Sequence, residues 1–153
     1  MKRILFVCAG NICRSPVAEA VVRAEFARAG VDVLVASAGT GPWHIGRPAD
    51  ARAQASALER GYDLSSHRAR RVSADDFGQF DLLLAMDRDN LADLSARCPD
   101  EYAGKLGLFL PFAGVDTPQE VADPYYGGPE DFTRVVDLAI SGAKGMLALL
   151  GMA

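Results

Sequence analysis

Ile4-Leu5-Phe6-Val7-Cys8-Ala9-Gly10-Asn11-Ile12-Cys13-Arg14-Ser15-Pro16 is the stretch whose reading decides the fold. Its four leading apolar residues read as a buried strand, and the run from Pro16 to Ala29 that follows reads as a helix. A tight loop joins them. Five residues separate the Cys8 thiol from the Arg14 guanidinium. That spacing lets the loop curl round one tetrahedral oxyanion, with the backbone N–H groups of residues 9–13 turned inward and Arg14 forking two oxygens. The positive end of the helix faces the same point. A helix N-terminus and a neighbouring arginine both favour a thiolate, the nucleophilic form of cysteine, and Cys8 has both. Ser15 offers a hydroxyl to the sulfur. It also suits the helix N-cap, with Pro16 at the first helical position, where a missing N–H costs nothing. Gly10 relieves crowding, and Asn11 tolerates a left-handed backbone.

The rest of the chain repeats the alternation. Val33–Ala36, Leu82–Ala85 and a shorter Leu106–Leu110, ending at Pro111, read as strands. Ala49–Arg60, Arg88–Ala96 and a last stretch from Pro129-Glu130-Asp131 to about Leu150 read as helices. Gly30 and Gly61 stand where helix C-caps belong. Strands alternating with helices predict one α/β domain over residues 1–153, a mostly parallel sheet covered by helices on both faces. Ligands of such sheets bind beyond the C-terminal strand ends. Cys8, Ser37-Ala38-Gly39 and Met86-Asp87 each lie just past a strand, so three loops converge on one mouth.

Composition narrows the class. Of 153 residues half are apolar and 24% are charged, which fits one globular core. No segment has the roughly 20 apolar residues needed to span a bilayer, and the apolar run before Cys8 is too short for a signal peptide. The default expectation is a cytoplasmic protein. The net charge of -4 argues against nucleic acid as a partner. The basic run His67-Arg68-Ala69-Arg70-Arg71 is the exception, read as a solvated loop or a binding patch with equal weight. Cys8, Cys13 and Cys98 make no disulfide framework, and with His44 and His67 they lack zinc-site spacing.

A thiolate that attacks phosphorus must expel an oxygen leaving group, and an acid that protonates it speeds the step. Asp123-Pro124-Tyr125-Tyr126-Gly127-Gly128 offers one. Pro124 keeps Asp123 extended, and the glycine pair permits a return into the last helix. Trp43, opposite Tyr125 or Tyr126, would wall a slot for a flat aromatic ring above Ile12. A deep slot admits phosphotyrosine to Cys8 and leaves phosphoserine short.

Together these residues resemble the low-molecular-weight protein tyrosine phosphatase family. The likeness runs from Val7-Cys8 to Ser15-Pro16 and Ala18-Glu19-Ala20. It continues through Ser37-Ala38-Gly39-Thr40, Trp43-His44, Gly46 and Asp50-Ala51-Arg52-Ala53. His67 with Ala69-Arg70, Met86-Asp87 with Asn90-Leu91, and Asp123-Pro124-Tyr125-Tyr126-Gly127 complete it. The resemblance implies a four-stranded parallel sheet flanked by helices, with neither metal nor organic cofactor. It implies that Cys8 forms a cysteinyl-phosphate while Arg14 and the loop amides bind the phosphoryl oxygens. Asp123 would protonate the leaving phenolate and then activate water, and Ser15 would stabilise the sulfur. Asn11 would hold the loop shape, supported by Ser37, His67 and Asp87. Implied partners are phosphotyrosine proteins, either a tyrosine kinase or host proteins, with inorganic phosphate or another oxyanion in the site of a monomer.

Three rivals weigh less. Arsenate reductases share the fold and loop, but their thioredoxin relay needs two further downstream cysteines, and only Cys98 is present. Protein-arginine phosphatases carry a threonine at Ile12, whose apolar side chain suits an aromatic ring better. A phosphotyrosine-binding module could lose Cys8 or Asp123, and this chain keeps both. Cys13 adds a redox reading. It sits in the same loop as Cys8, near enough in sequence for a disulfide that captures an oxidised Cys8.

Overall fold

The computed structural model describes residues 1–151 of the chain. In chain order its elements are β1 (Lys2–Cys8), α1 (Arg14–Arg28), β2 (Val33–Gly39), α2 (Ala51–Glu59), α3 (Asp76–Gln79), β3 (Leu82–Ala85), α4 (Arg88–Arg97), a 3-10 helix (Asp100–Lys105), β4 (Leu106–Leu108), α5 (Phe109–Phe112) and α6 (Pro129–Leu150). The four strands form one parallel sheet in the order β2-β1-β3-β4. The chain turns to opposite sides of β1, so the order reverses between β1 and β3. The crevice beyond the strand ends at such a reversal is the natural ligand site.

Side-chain alternation along β1 divides the core in two. Ile4, Phe6 and Cys8 face the layer that contains α1 and α6, where Val17, Val21, Phe26, Phe132, Val136 and Met146 are buried. Leu5 and Val7 face the other layer, against Phe77, Phe80, Leu83 and Leu94. Phe6 meets Phe109 edge-on, with ring centroids 5.0 Å apart. Helix α6 carries Gly142 and Gly145 in its interior, which propensity disfavours. A Cβ at Gly142 would stand 2.3 Å from the Phe109 ring, and one at Gly145 would stand 1.9 Å from the Ala113 carbonyl oxygen. The two glycines let α6 approach α5 closely enough to seal the core.

Most element boundaries agree with the sequence reading to within a residue or two, and α6 matches at its start. Gly30 (φ 72°) and Gly61 (φ 87°) adopt the left-handed conformation after their helices. Three expectations are corrected. Ser37-Ala38-Gly39, expected just past the second strand, are its last three residues, paired with Phe6-Val7-Cys8 at the end of β1. The Leu106–Leu110 run is strand only to Leu108; Phe109 and Leu110 turn into α5 and are buried there. The start of α1 also differs. Its first helical residue is Arg14, and Cys13 stands at the cap position without a side-chain bond. Ser15 is not the N-cap, because its hydroxyl is engaged with Cys8 and Asn11. Pro16 lies within the first turn, where an N–H has no helical partner in any case.

Candidate active site

The loop between β1 and α1 is organised by Asn11. This residue is fully buried and takes the left-handed backbone (φ 59°). Its Nδ2 donates to Ser15 Oγ at 2.8 Å and to Ser37 Oγ at 3.0 Å. Its Oδ1 accepts from the Arg70 N–H at 2.9 Å. Its carbonyl oxygen lies 2.7 Å from His67 Nε2. A carbonyl only accepts, so His67 carries a proton on Nε2. The Asn11 N–H, finally, reaches Cys8 Sγ at 3.3 Å. Ser37 passes its own proton outward, donating to Glu19 Oε1 at 2.6 Å. Ser15 Oγ sits 2.9 Å from Cys8 Sγ. Because Asn11 donates into Ser15 Oγ, the serine proton is left free for the sulfur.

The run at 67–71 is therefore not a solvated basic loop. Besides His67 and the Arg70 N–H on Asn11, Arg70 pairs with the buried carboxylate of Asp76 at 2.9 Å. Arg71 Nε donates to the Thr40 carbonyl at 3.1 Å. The backbone of the segment bonds to Gly39 on both sides, Gly39 N to Arg70 O and Val72 N to Gly39 O, each at 2.8 Å. It splints the end of β2 to the 8–15 loop. Gly39 is required there, since a Cβ would stand 2.7 Å from the Ala9 carbonyl oxygen.

Arg14 is buried, with 3% of its side chain exposed. Its Nη1 donates to Asp87 Oδ2 at 2.6 Å and to the Val121 carbonyl at 2.9 Å. Its Nη2 lies 3.8 Å from Asp123 Oδ2. Burial works against the charge, but Cys8 and Asp87 outweigh it and raise the Arg14 pKa above its ordinary value. Asp87 thus orients Arg14. The expected support of Asn11 by Asp87 is not found: one Asp87 oxygen is on Arg14 and the other caps α4 on the Asn90 N–H at 2.8 Å. Val121 O is a partner that sequence could not supply, since a backbone carbonyl carries no residue signature. Glu19 was visible in the sequence without a role; its signal was its place on the α1 face toward β2.

Cys8, Ala9, Gly10, Ile12, Cys13, Arg14, Trp43, His44, Asp123, Tyr125 and Tyr126 line one cavity of about 320 Å³. Ser15, Ser37 and His67 lie behind it. His44 is a further wall residue, one that the sequence reading does not assign. It closes over Gly10, where a Cβ would meet the imidazole at 2.8 Å, and its ring centroid is 6.3 Å from that of Tyr125. Trp43 and Tyr126 stand at the rim, 69% and 96% exposed. Cys8, Cys13 and Cys98 are all free thiols. Burial first, then the charges of Asp50, Cys8 and Asp123, push the Cys13 thiol far above its usual range, so it stays protonated at neutral pH. Among the described residues no cluster of His, Cys, Asp and Glu could hold a metal ion, and no helix is long and apolar enough to cross a membrane.

Comparison with known proteins gives this arrangement a family. The family model for low molecular weight phosphotyrosine protein phosphatase matches residues 3–152. A low molecular weight protein-tyrosine-phosphatase of Streptomyces coelicolor is 42% identical over 153 residues, covering 95% of this chain and 92% of the relative. The crystal structure of a protein tyrosine phosphatase from Entamoeba histolytica, with Hepes in its active site, superposes with a TM-score of 0.94. It is 38% identical and covers 99% of this chain and 98% of its own. Vibrio vulnificus Wzb in complex with benzylphosphonate gives a TM-score of 0.86 at 33% identity, covering 97% of this chain and 99% of its own. With sequence and fold matched over nearly the full length, the chain belongs to the low molecular weight phosphotyrosine protein phosphatase family.

Proposed function

We propose that this protein hydrolyses phosphotyrosine in proteins through a cysteinyl-phosphate, without metal or organic cofactor. The observation that carries the reading is the convergence of Cys8, Arg14 and Asp123 on one cavity. Cys8 Sγ attacks phosphorus, and the P–O bond to the tyrosine breaks. Arg14, charged and fixed by Asp87, binds the phosphoryl oxygens together with the amides of residues 9–13, and holds them in line with the sulfur. Asp123 gives its proton to the departing phenolate, then takes one from the water that cleaves the S–P bond. Ser15, whose proton Asn11 leaves free, stabilises the sulfur when it is attacking and when it leaves. Ile12, Trp43, Tyr125 and Tyr126 supply apolar and aromatic wall for the tyrosine ring. The benzylphosphonate bound by the Vibrio relative, an aromatic ring one methylene from a phosphonate, has the shape this slot fits.

The substrate is then a tyrosine-phosphorylated protein, and the enzyme acts as a cytoplasmic monomer. Cys13 serves as a redox guard in the same reading. Peroxide converts Cys8 to a sulfenic acid, the Cys13 thiol displaces water from it, and the resulting disulfide is reopened by thiols. Faster recovery by dithiothreitol in peroxide-treated wild type than in Cys13→Ser checks this.

The test of the main reading is phosphate release from a phosphotyrosine peptide with reductant and excess EDTA. It is coupled to a comparison of aryl phosphates in Asp123→Ala. For kcat/KM, which spans departure of the phenol, loss of the acid costs about 10²–10⁴-fold with phenyl phosphate and far less with 4-nitrophenyl phosphate. Equal losses with both would contradict the acid assignment. Faster release from phosphoarginine would replace the substrate.

A further inference from the structure

A small ion pair, Asp50 with Arg52, stands beside the cavity, outside the residues assigned to the reaction. Asp50 caps α2 and Arg52 stands in its first turn. The Asp50 N–H donates to the Ile12 carbonyl at 2.8 Å, fastening this corner to the phosphate loop. Asp50 Oδ1 accepts from the Arg52 backbone N–H at 2.8 Å and from Arg52 Nε at 3.1 Å. Asp50 Oδ2 accepts from Arg52 Nη2 at 2.9 Å. One edge of the guanidinium is thus docked on the carboxylate. The remaining nitrogen, Nη1, donates to the Tyr125 carbonyl at 3.0 Å. The face of the guanidinium lies over the Phe132 ring, 4.5 Å from its centroid, and 5.3 Å from that of Tyr125. Tyr125 in turn donates its N–H to Asp123 Oδ1 at 3.1 Å. The bonds run unbroken from Ile12 to Asp123.

We propose that Arg52 is a positioning residue, which holds Asp123 over Cys8 by tying the backbone of the acid loop to the phosphate loop. This rests on the assignment of Asp123 as the acid. Stability is a poor explanation of the pair. Arg52 is 49% exposed, and ion pairs at such sites contribute little. The geometry explains it better. Asp123 has few other restraints: its second oxygen meets Arg14 only at 3.8 Å. A planar fork can dock on a carboxylate with one edge and still present a directed N–H to a carbonyl. A lysine keeps the charge and loses that division of labour. The role of Asp50 follows: its hydrogen bonds to Arg52, the largest influence, hold its carboxyl below the usual range, so it is ionised and gripping throughout the neutral region.

The experiment measures kcat/KM for phenyl phosphate and 4-nitrophenyl phosphate in wild type, Arg52→Gln, Arg52→Lys, Asp50→Asn, Asp123→Ala and Asp123→Ala/Arg52→Gln. Arg52→Gln is expected to lose about tenfold on phenyl phosphate, the scale of a small misplacement of a reacting group, and under about threefold on 4-nitrophenyl phosphate. Arg52→Lys should follow Arg52→Gln rather than wild type. In the Asp123→Ala background, Arg52→Gln should cost neither substrate anything further, since the group it positions is gone. Should Arg52→Gln fail to fold, Asp50→Asn, which keeps its N–H on Ile12, is expected to show the same selectivity at a smaller size. Equal losses on both substrates, an added loss in the double variant, or full activity in Arg52→Lys would overturn the proposal. If Asp123→Ala shows no selectivity while wild type turns over, the acid assignment falls and the role of Arg52 falls with it. If Asp123→Ala is selective and the Arg52 and Asp50 variants are not, only the Arg52 inference fails.

Discussion

Asn11, beneath the floor of the cavity, is fully buried and held by five hydrogen bonds to Ser15, Ser37, His67, Arg70 and Cys8. Asp123, at the rim, is 53% exposed and held by one backbone N–H and a long approach to Arg14. In the proposed reaction the two regions face different tasks. The floor must present fixed dipoles to a charge that develops in the transition state, and preorganised donors need no rearrangement at that moment. The rim must admit a protein side chain and release it. A rim as rigid as the floor would slow entry and exit.

The largest expected effect breaks the floor at its reacting atom. Cys8→Ser removes the sulfur nucleophile and leaves the loop intact. Turnover of a phosphotyrosine peptide should fall by about 10⁴-fold or more, while phosphate or vanadate still binds, as titration calorimetry would read. Residual turnover near the wild-type rate would move the nucleophile elsewhere.

Next is the frame of the floor. Asn11→Ala strands Ser15, Ser37 and the Arg70 N–H, and places a Cβ residue at φ 59° without the amide that compensates it. Urea denaturation should show a loss of about 2–4 kcal/mol. Asn11→Gly loses the same bonds but tolerates the backbone, and should be milder by about 1 kcal/mol. A larger loss in the glycine variant would mean that the left-handed turn is not what the asparagine is there to hold.

A gentler probe uses pH. Folding raises the Cys13 pKa above its ordinary value of 9.0, so the native state holds that proton longer than the unfolded chain does. The stability linked to Cys13 is therefore complete below about pH 9 and is lost as pH climbs toward the folded value. Between about pH 8 and about pH 10 the urea midpoint of wild type should fall further than that of Cys13→Ala. Parallel slopes would show that the buried thiol does not resist ionisation.

The rim should give the smallest response. Trp43→Ala and Tyr126→Ala remove side chains that are mostly in solvent, so stability should change by less than about 0.5 kcal/mol. Peptide KM should rise about threefold with little change in kcat, the mark of contacts made equally in the ground and transition states. A large loss of stability would mean that these rings are core residues rather than walls.

The same division governs what could be read from sequence. The floor was legible because its chemistry is local: Cys8, Arg14 and the left-handed Asn11 lie in one short loop whose residue types and spacing state the geometry. The alternation of strands and helices then placed that loop at the end of a central strand. Sequence and structure part where two demands compete for one group. Ser15 has cap-forming chemistry, but the sulfur and Asn11 claim its hydroxyl. Asp87 was expected on Asn11 and serves Arg14. Phe109 and Leu110 are apolar enough for a strand, and only the packing of α6, opened by Gly142, shows that they turn into a helix. The basic run at 67–71 was ambiguous because a backbone splint leaves no trace in side-chain composition. The bridge from Ile12 to Asp123 was invisible for the same reason, since two of its four junctions are backbone carbonyls.

The central claim, that the floor captures phosphorus on Cys8 and the rim protonates what leaves, has one direct measurement. Asp123→Ala, which lacks the group proposed to activate water, is mixed with 4-nitrophenyl phosphate, quenched in acid within milliseconds and digested for mass spectrometry. The account predicts one phosphoryl group on the peptide carrying Cys8, appearing with a burst of nitrophenol and decaying slowly. Turnover with no phosphoryl adduct, or an adduct on another residue, would contradict it.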